Sequence, residues 1–268
     1  MQGYRFATEM VTQHERIKGI VVKTDQGYFC LDPADKFVSN ALVENGGYGF
    51  DELEFAKKYI RPNSSVLVVG AHIGAIAIPL STVCEELVAV EANPATYELL
   101  QLNVRLNERK NLKTIYAAAN DKDGTLNFVM NTENSGGSKR MPKFADAHYF
   151  HDNPKIVVVP AKRLDDILPP SFDLIFMDIE GSEYFAFLGM QKLLARARTL
   201  IVEFLPHHLS RVAGITVDEF LAPLTPHFDL LEIPSCRQTV EKKDLKNVLQ
   251  NLFENNQGDA GIVFSKIA

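Results

Sequence analysis

Four places in this sequence hold residues of a kind that can bind or transform a ligand. The first is Gly70-Ala71-His72-Ile73-Gly74, directly after the β-branched run VLVV at 66–69. Glycines at such a point let a strand turn sharply and bring backbone N–H groups close to a ligand. A pyrophosphate-binding loop needs glycine at the middle position. His72 stands there instead and would crowd phosphates, so the spacing favours a nucleoside that lacks them. The second place is Glu91-Ala92, at the end of LVAVE (87–91), where a carboxylate can accept hydrogen bonds from both hydroxyls of a ribose. The third is Asn120-Asp121, after LKTIYAAA (112–119), which reads equally as an ordinary turn or as a contact to an adenine edge. The fourth is Asp178-Ile179-Glu180-Gly181-Ser182-Glu183, which crowds three carboxylates at one strand–helix junction. Ser182 and Glu183 are expected to cap the helix and complement its dipole. Asp178 and Glu180 precede it, and with His207 on the loop after Pro206 they are the candidate catalytic groups, able to take a proton from an acceptor. Glu203, which closes the next strand, could join them or pair with a base. Asp, Glu and His in this region could also bind a divalent ion, but no ligand spacing here is diagnostic, so a metal is the minor reading and no metal ligand is assigned.

These groups all follow apolar runs, which predicts the elements that hold them. VLVV (66–69), LVAVE (87–91), LKTIYAAA (112–119), LIFMD (174–178) and TLIVEF (199–204) read as strands, separated by helical stretches. One helix is expected to run from the glycine turn to about Cys84. Another is expected to begin at Asn93-Pro94, a cap and first-turn proline, with Tyr97, Leu100 and Val104 on its buried face. Continuous apolar strands alternating with helices mean a mostly parallel sheet covered on both faces, so the fold class is α/β. In such sheets ligands bind beyond the carboxyl ends of the strands, where strand order reverses.

Residues 1–61 read as an accessory layer packed on the core domain at 62–268, the whole forming one globular unit. Within it IKGIVVKTDQGYFCLD predicts a β-hairpin around Asp25-Gln26-Gly27, and Phe50 to Arg61 predicts a helix that stops at Pro62. TLNFVM (125–130) and KIVVVP (155–160) are strands with no helix between them. The polar stretch 131–153, with Lys139, Arg140, Lys143, His148, Tyr149 and His151, is long enough to be a functional lid or a disordered segment. FDLLEI (228–233) and GIVFSK (261–266) predict a closing antiparallel pair flanking a charged helix at 241–254.

Composition narrows the class. Of 268 residues 46% are hydrophobic and 23% charged, the balance of a chain that buries a sizeable core rather than a disordered or fibrous one. A net charge of −6 gives no general attraction to nucleic acid or anionic lipid, so neither partner is expected. Cys30, Cys84 and Cys236 are too few and too scattered for a disulfide framework, which favours the cytoplasm. The ten residues from Met1 carry Arg5 and Glu9 and no signal-peptide core, and Val66–Leu80 is broken by Gly70, His72, Gly74 and Pro79, too short for a span of roughly 20 apolar residues.

From about Gly46 to Pro206 the chain resembles the FkbM family of S-adenosylmethionine-dependent methyltransferases. The resemblance runs through VLVVGAHIGAIAI, VAVEANPATYELLQLNV, AAANDKDGTLNF, ENSGGS, RLDDIL, FDLIFMDIEGSEYFAFLGM and LIVEF. Met177–Glu183 looks like the family's I-D-V-E-G-x-E signature. The resemblance implies a class I methyltransferase (Rossmann-like) fold: a seven-stranded sheet with a reversed last strand. It implies S-adenosylmethionine as cofactor, a nucleoside bearing a sulfonium rather than phosphates, on Gly70, Ala71, His72, Gly74, Glu91, Ala92, Asn120 and Asp178. It also implies O-methylation of a hydroxyl on a small molecule such as a natural product or sugar. The chain departs from the family pattern at Val68, usually an acid that receives the cofactor's ammonium; at His72, usually Asn; and at Phe176, often Lys. Asp178 or Glu180 is expected to replace the missing acid. Two rivals are a non-catalytic cofactor-binding protein of the same fold, which Val68 favours, and a nicotinamide-dependent oxidoreductase, which His72 disfavours.

Overall fold

A computed structural model describes residues 17–150 and 152–267. The expectations for Met1–Met10 and for His151 lie outside the described residues. The described chain opens with the hairpin β1 (Ile20–Thr24) and β2 (Gly27–Leu31), antiparallel across Asp25-Gln26 with Thr24 opposite Gly27, as the turn chemistry predicts. Two short helices follow, α1 (Val38–Glu44) and α2 (Phe50–Lys57).

The alternating core then runs β3 (Ser65–Val69), α3 (Ala77–Leu80), β4 (Glu86–Glu91), α4 (Pro94–Leu106) and β5 (Leu112–Tyr116). The α3 helix holds only Ala77–Leu80, ending short of the predicted limit near Cys84. Asn93 caps α4 as expected, its Oδ1 accepting the Ala95 N–H at 3.0 Å. The run predicted as one strand at 112–119 is two. Ala117 donates its N–H to the Glu91 carbonyl at 3.0 Å, and the chain then leaves the main sheet as β6 (Ala118–Ala119).

That strand starts a second sheet with β7 (Gly124–Met130), β8 (Lys139–Arg140) and β9 (Lys155–Lys162), in spatial order β6-β9-β7-β8. Strands β7 and β9 pair antiparallel with no helix between them. After α5 (Leu164–Ile167) the core resumes with β10 (Leu174–Met177), α6 (Glu183–Leu188), α7 (Gln191–Arg196) and β11 (Thr199–Phe204). A π-helical turn (His208–Ala213), α8 (Val217–Leu221), β12 (Leu230–Ile233), β13 (Gln238–Glu241), α9 (Leu245–Glu254) and β14 (Asp259–Ser265) complete it.

The main sheet has the order β13-β12-β14-β11-β10-β3-β4-β5. Strands β5, β4, β3, β10 and β11 are parallel, and β14 lies antiparallel between β11 and β12. The sheet holds eight strands rather than the expected seven, because β13 adds an antiparallel edge outside β12. Apolar side chains cover both faces. One core joins Leu67, Val69, Ile175 and Met177 to α6–α9, and the other joins Val66, Val68, Leu174 and Phe176 to the hairpin, α1, α2 and α4. Each fully buried Leu, Val or Phe contributes about 1.5–3 kcal/mol of transfer free energy. This two-sided burial fixes the strands, so the loops at their carboxyl ends emerge at defined places. The chain moves outward from β3 to β5 and returns to β10 on the other side, which puts the reversal between β3 and β10.

Candidate active site

The two strand exits at the reversal touch. Gly70 takes φ +88°, and a Cβ there would lie 1.7 Å from the Asp178 carbonyl oxygen, so only glycine lets the β3 and β10 loops meet. The Gly70 and Ala71 N–H groups both donate to the Val90 carbonyl, at 2.9 and 3.0 Å. His72 then bends at φ 51° and donates its N–H to Glu91 Oε2 at 2.7 Å, while Glu91 Oε1 accepts the Asn93 N–H at 2.7 Å. Two backbone donors thus lock the Glu91 carboxylate in one orientation. Burial pushes its pKa up, and the N–H bonds from Asn93 and His72 oppose that rise.

A cavity of about 470 Å³ lies over these strand ends, within the size range of small-molecule sites. Gly70, Ala71, His72, Glu91, Ala92, Asp178 and Glu180 all line it, together with Glu203. The structure places Gly74 elsewhere: a Cβ there would meet the Ile78 and Leu100 side chains at 2.8 and 2.9 Å, so this glycine serves the packing of α3 on α4. Asn120 is also off the cavity wall. Its Nδ2 donates to the Lys122 carbonyl at 3.0 Å, and its own carbonyl fills the space a Cβ of Gly189 would need. His207 lines an adjoining annex of about 200 Å³ and is exposed.

The far walls come from the accessory layer and β7, which the sequence did not tie to the site, and from the stretch at 131–153, which it read as a lid or a disordered segment. Phe37, Val38, Tyr48 and Glu52 reach in from α1, α2 and the loops before them, and Leu126 and Phe128 from β7. From the stretch read as a lid, Asn134, Ser135, Gly136, Ser138 and Arg140 line the cavity. One carboxylate ties the lid to the accessory layer. Asp35 Oδ1 accepts the Phe37 and Ser39 N–H groups at 3.0 and 2.9 Å, and Oδ2 accepts the Ser135 N–H at 2.9 Å as well as its hydroxyl. Ser135 Oγ lies 2.7 Å from His72 Nε2. A carboxylate only accepts, so the serine proton points to Asp35 and His72 donates from Nε2, leaving Nδ1 as a bare acceptor. Burial lowers the His72 pKa to about 4, which keeps the ring neutral at pH 7.

Three cavity-lining residues hold a buried polar atom with no hydrogen-bond partner among the described residues: His72 Nδ1, Arg140 Nη1 and Asp178 Oδ1. Orphaned atoms of this kind are rare, and all three belong to residues of one cavity wall. The Arg140 guanidinium stacks 3.5 Å above the Phe185 ring, and burial lowers its pKa.

Around the β10 and β11 exits the carboxylates crowd. Glu180, in the left-handed region at φ 55°, accepts from Lys139 Nζ at 3.0 Å and lies 3.2 Å from His208 Nε2. Glu203 Oε2 lies 3.4 Å from the other nitrogen of the same ring. Burial and the neighbouring carboxylates push both Asp178 and Glu203 well above the usual carboxylate range. Ser182 holds the N-cap position of α6 without a side-chain bond, contrary to expectation. The Glu183 carboxylate turns back instead and accepts the Ile179 and Gly181 N–H groups at 3.1 and 3.2 Å, shaping the loop that presents Asp178 and Glu180. Burial raises the Glu183 pKa to about 7.

The family model of the methyltransferase FkbM domain matches residues 69–255, more than two thirds of the chain. The chain belongs to the FkbM methyltransferase family. It is therefore a methyltransferase with the class I fold, and S-adenosylmethionine is its methyl donor. None of the curated proteins matches the sequence. Among solved structures, a TehB-like SAM-dependent methyltransferase from Corynebacterium glutamicum ATCC 13032 Kitasato is 12% identical, with TM-score 0.49, over 85% of this chain and 94% of that one. M. jannaschii TYW2 in complex with AdoMet is 13% identical, with TM-score 0.49, over 95% and 89%. Methyltransferase FkbM from Methylobacillus flagellatus KT is 15% identical, with TM-score 0.45, over 80% of this chain and 50% of that one.

Sequence reasoning reached the glycine loop, Glu91 and Asp178-Glu180 because each directly follows a legible strand. It named His207 as the candidate base and not His208, which is 4% exposed and sits between two carboxylates of the FkbM chain. It missed Tyr48, Glu52 and Asp35, whose approach depends on tertiary packing alone.

Proposed function

We propose that this methyltransferase transfers the methyl group of S-adenosylmethionine to a hydroxyl oxygen of a small molecule. The observation that carries the reading is the cavity at the strand reversal, lined by a locked Glu91 and by His72, Arg140 and Asp178, each of which holds an orphaned polar atom. Its residues fit the cofactor. The Gly70–His72 backbone and the Glu91 carboxylate suit an adenosine ribose, and Ala118, Leu126 and Phe128 offer an apolar slot for a base. Asp178 Oδ1 suits an ammonium in place of the acid that Val68 lacks. When bound, S-adenosylmethionine supplies an electrophilic methyl carbon and a neutral thioether leaving group. The chain's task is to align an acceptor with that carbon, to exclude water and to receive the hydroxyl proton. Asp178 and Glu180, both on the cavity wall, are placed to receive it. The annex lined by Asn131, Lys139, Tyr149 and His208 offers the acceptor an open seat with polar side chains, and it shares Glu180 with the cavity.

Calorimetric titration with S-adenosylhomocysteine tests the site. The wild type should bind one equivalent, and Glu91→Ala should weaken binding at least tenfold, about 1.4 kcal/mol, because it removes the diol acceptor and frees the His72 loop. An inert wild type, or an unaltered affinity in the variant, would overturn the assignment.

A further inference from the structure

We propose that Glu180, Glu203 and His208 form a divalent-cation site that holds the acceptor's oxygen beside the methyl donor. This rests on the methyl-transfer reading above and adds a metal to it.

One ligand atom from each of the three residues lies within 4.8 Å of the other two, close enough to share one ion. Two carboxylates and an imidazole make a mixed oxygen and nitrogen set that suits Mn²⁺ or another first-row ion better than Mg²⁺ alone. Three separate segments deliver them: the β10 exit, the end of β11 and the π-helical turn. The turn approaches the loop only because Gly181 has no side chain. A Cβ there would lie 2.6 Å from Val212 Cβ and 3.2 Å from His208 Cβ. Wide turns of this kind are rare and frequently occur at functional sites.

Charge counting points to a missing cation. Four carboxylates, from Asp178, Glu180, Glu183 and Glu203, converge here, and among the described residues they meet one lysine, Lys139 on Glu180, and the His208 ring between Glu180 and Glu203. Asp178, beside this set, carries a buried Oδ1 with nothing bonded to it among the described residues. The position is also the useful one. Glu180 and Glu203 line the donor cavity, while Glu180 and His208 line the annex, so an ion among them would stand at the doorway between donor and acceptor. A hydroxyl bound to such an ion loses its proton at lower pH and becomes the stronger nucleophile. The site therefore selects acceptors that present a hydroxyl with a second oxygen close by, able to chelate.

The experiment is Mn²⁺ titration of the full-length, chelator-treated protein, followed by loss of the free-ion electron paramagnetic resonance signal. The wild type should take up one Mn²⁺ per chain, and Glu203→Gln and His208→Gln should each weaken uptake at least tenfold. Lys139→Met should tighten it several-fold, because the resident ammonium competes for Glu180. Circular dichroism establishes that each variant is folded, and if His208→Gln is not, Glu203→Gln and Lys139→Met carry the test. No saturable uptake by either the wild type or Lys139→Met would overturn the proposal, as would uptake indifferent to Glu203 and His208. S-adenosylhomocysteine binding to the metal-free wild type is read separately. Its absence would sink the cofactor reading, and Mn²⁺ uptake reports on the metal alone.

Discussion

The carboxylate of Glu183 lies almost wholly inside the fold, 3% exposed, and holds the loop of Asp178 and Glu180 through two N–H bonds. Its pKa rises from the ordinary 4.5 to about 7 because burial outweighs those bonds. The sign of the consequence follows. Below pH 4.5 both folded and unfolded chains hold the proton, and between 4.5 and about 7 only the folded chain does, so stability falls as pH rises through that window. The loss is complete above it and amounts to about 3 kcal/mol. Glu183→Gln keeps an oxygen for the N–H groups and removes the titration. Urea denaturation from pH 4.5 to 8 should show the wild type losing about 3 kcal/mol more than the variant across the window; parallel curves would refute this account. The two departures from the family pattern in the strands also make sense as a pair. Val68 and Phe176 are register partners across β3 and β10, both buried. Where the family pattern places an acid and a lysine, two apolar side chains fill the interior instead, and a swap of that kind is often neutral or stabilising.

Among elements, the parallel strands were legible because a strand covered on both faces needs an unbroken apolar run, as in LVAVE and TLIVEF. The residues just past them were legible for the same reason. The lid was legible only as one of two alternatives, and the π-helical turn was not legible at all, since nothing in HLSRVA marks a wide turn, and its course depends on Gly181 and on the lid. Lys143 and Phe144 donate their N–H groups to Val212 and Arg211, so the turn and the lid fix each other across a long stretch of sequence. At its other end the lid depends on Asp35, which also serves the start of α1. Removing that carboxylate should therefore loosen two elements together. In Asp35→Ala, hydrogen exchange should quicken at the backbone amides of 37–41 and 133–139, with the β3 and β4 amides unchanged. Faster exchange confined to α1 would show that the lid holds its place without Asp35.

For the whole molecule, the question is whether the accessory layer is separable from the methyltransferase core. Phe29, Leu31, Val38, Leu42 and Leu53 share one buried cluster with Val66, Val68 and Phe176, so the layer supplies one face of the core sheet's packing. It is also tied by backbone bonds that no strand provides. Asn103, fully buried on α4, accepts the Cys30 N–H at 2.6 Å and donates to the Cys30 and Ile73 carbonyls at 3.2 and 2.9 Å. One side chain thus fastens the hairpin to the loop that follows Gly70-Ala71-His72. Asn103→Ala would leave three buried backbone groups unmatched, at about 1–3 kcal/mol each before water enters. We expect a loss of about 3 kcal/mol or more in urea denaturation, in one transition seen alike by far-ultraviolet dichroism and tyrosine fluorescence. S-adenosylhomocysteine affinity should fall with it, because Tyr48 and Glu52 on the cavity wall are carried by the same layer. If the variant instead melts in two steps, with ligand affinity intact after the first, the layer is an independent cover and the catalytic unit begins at β3.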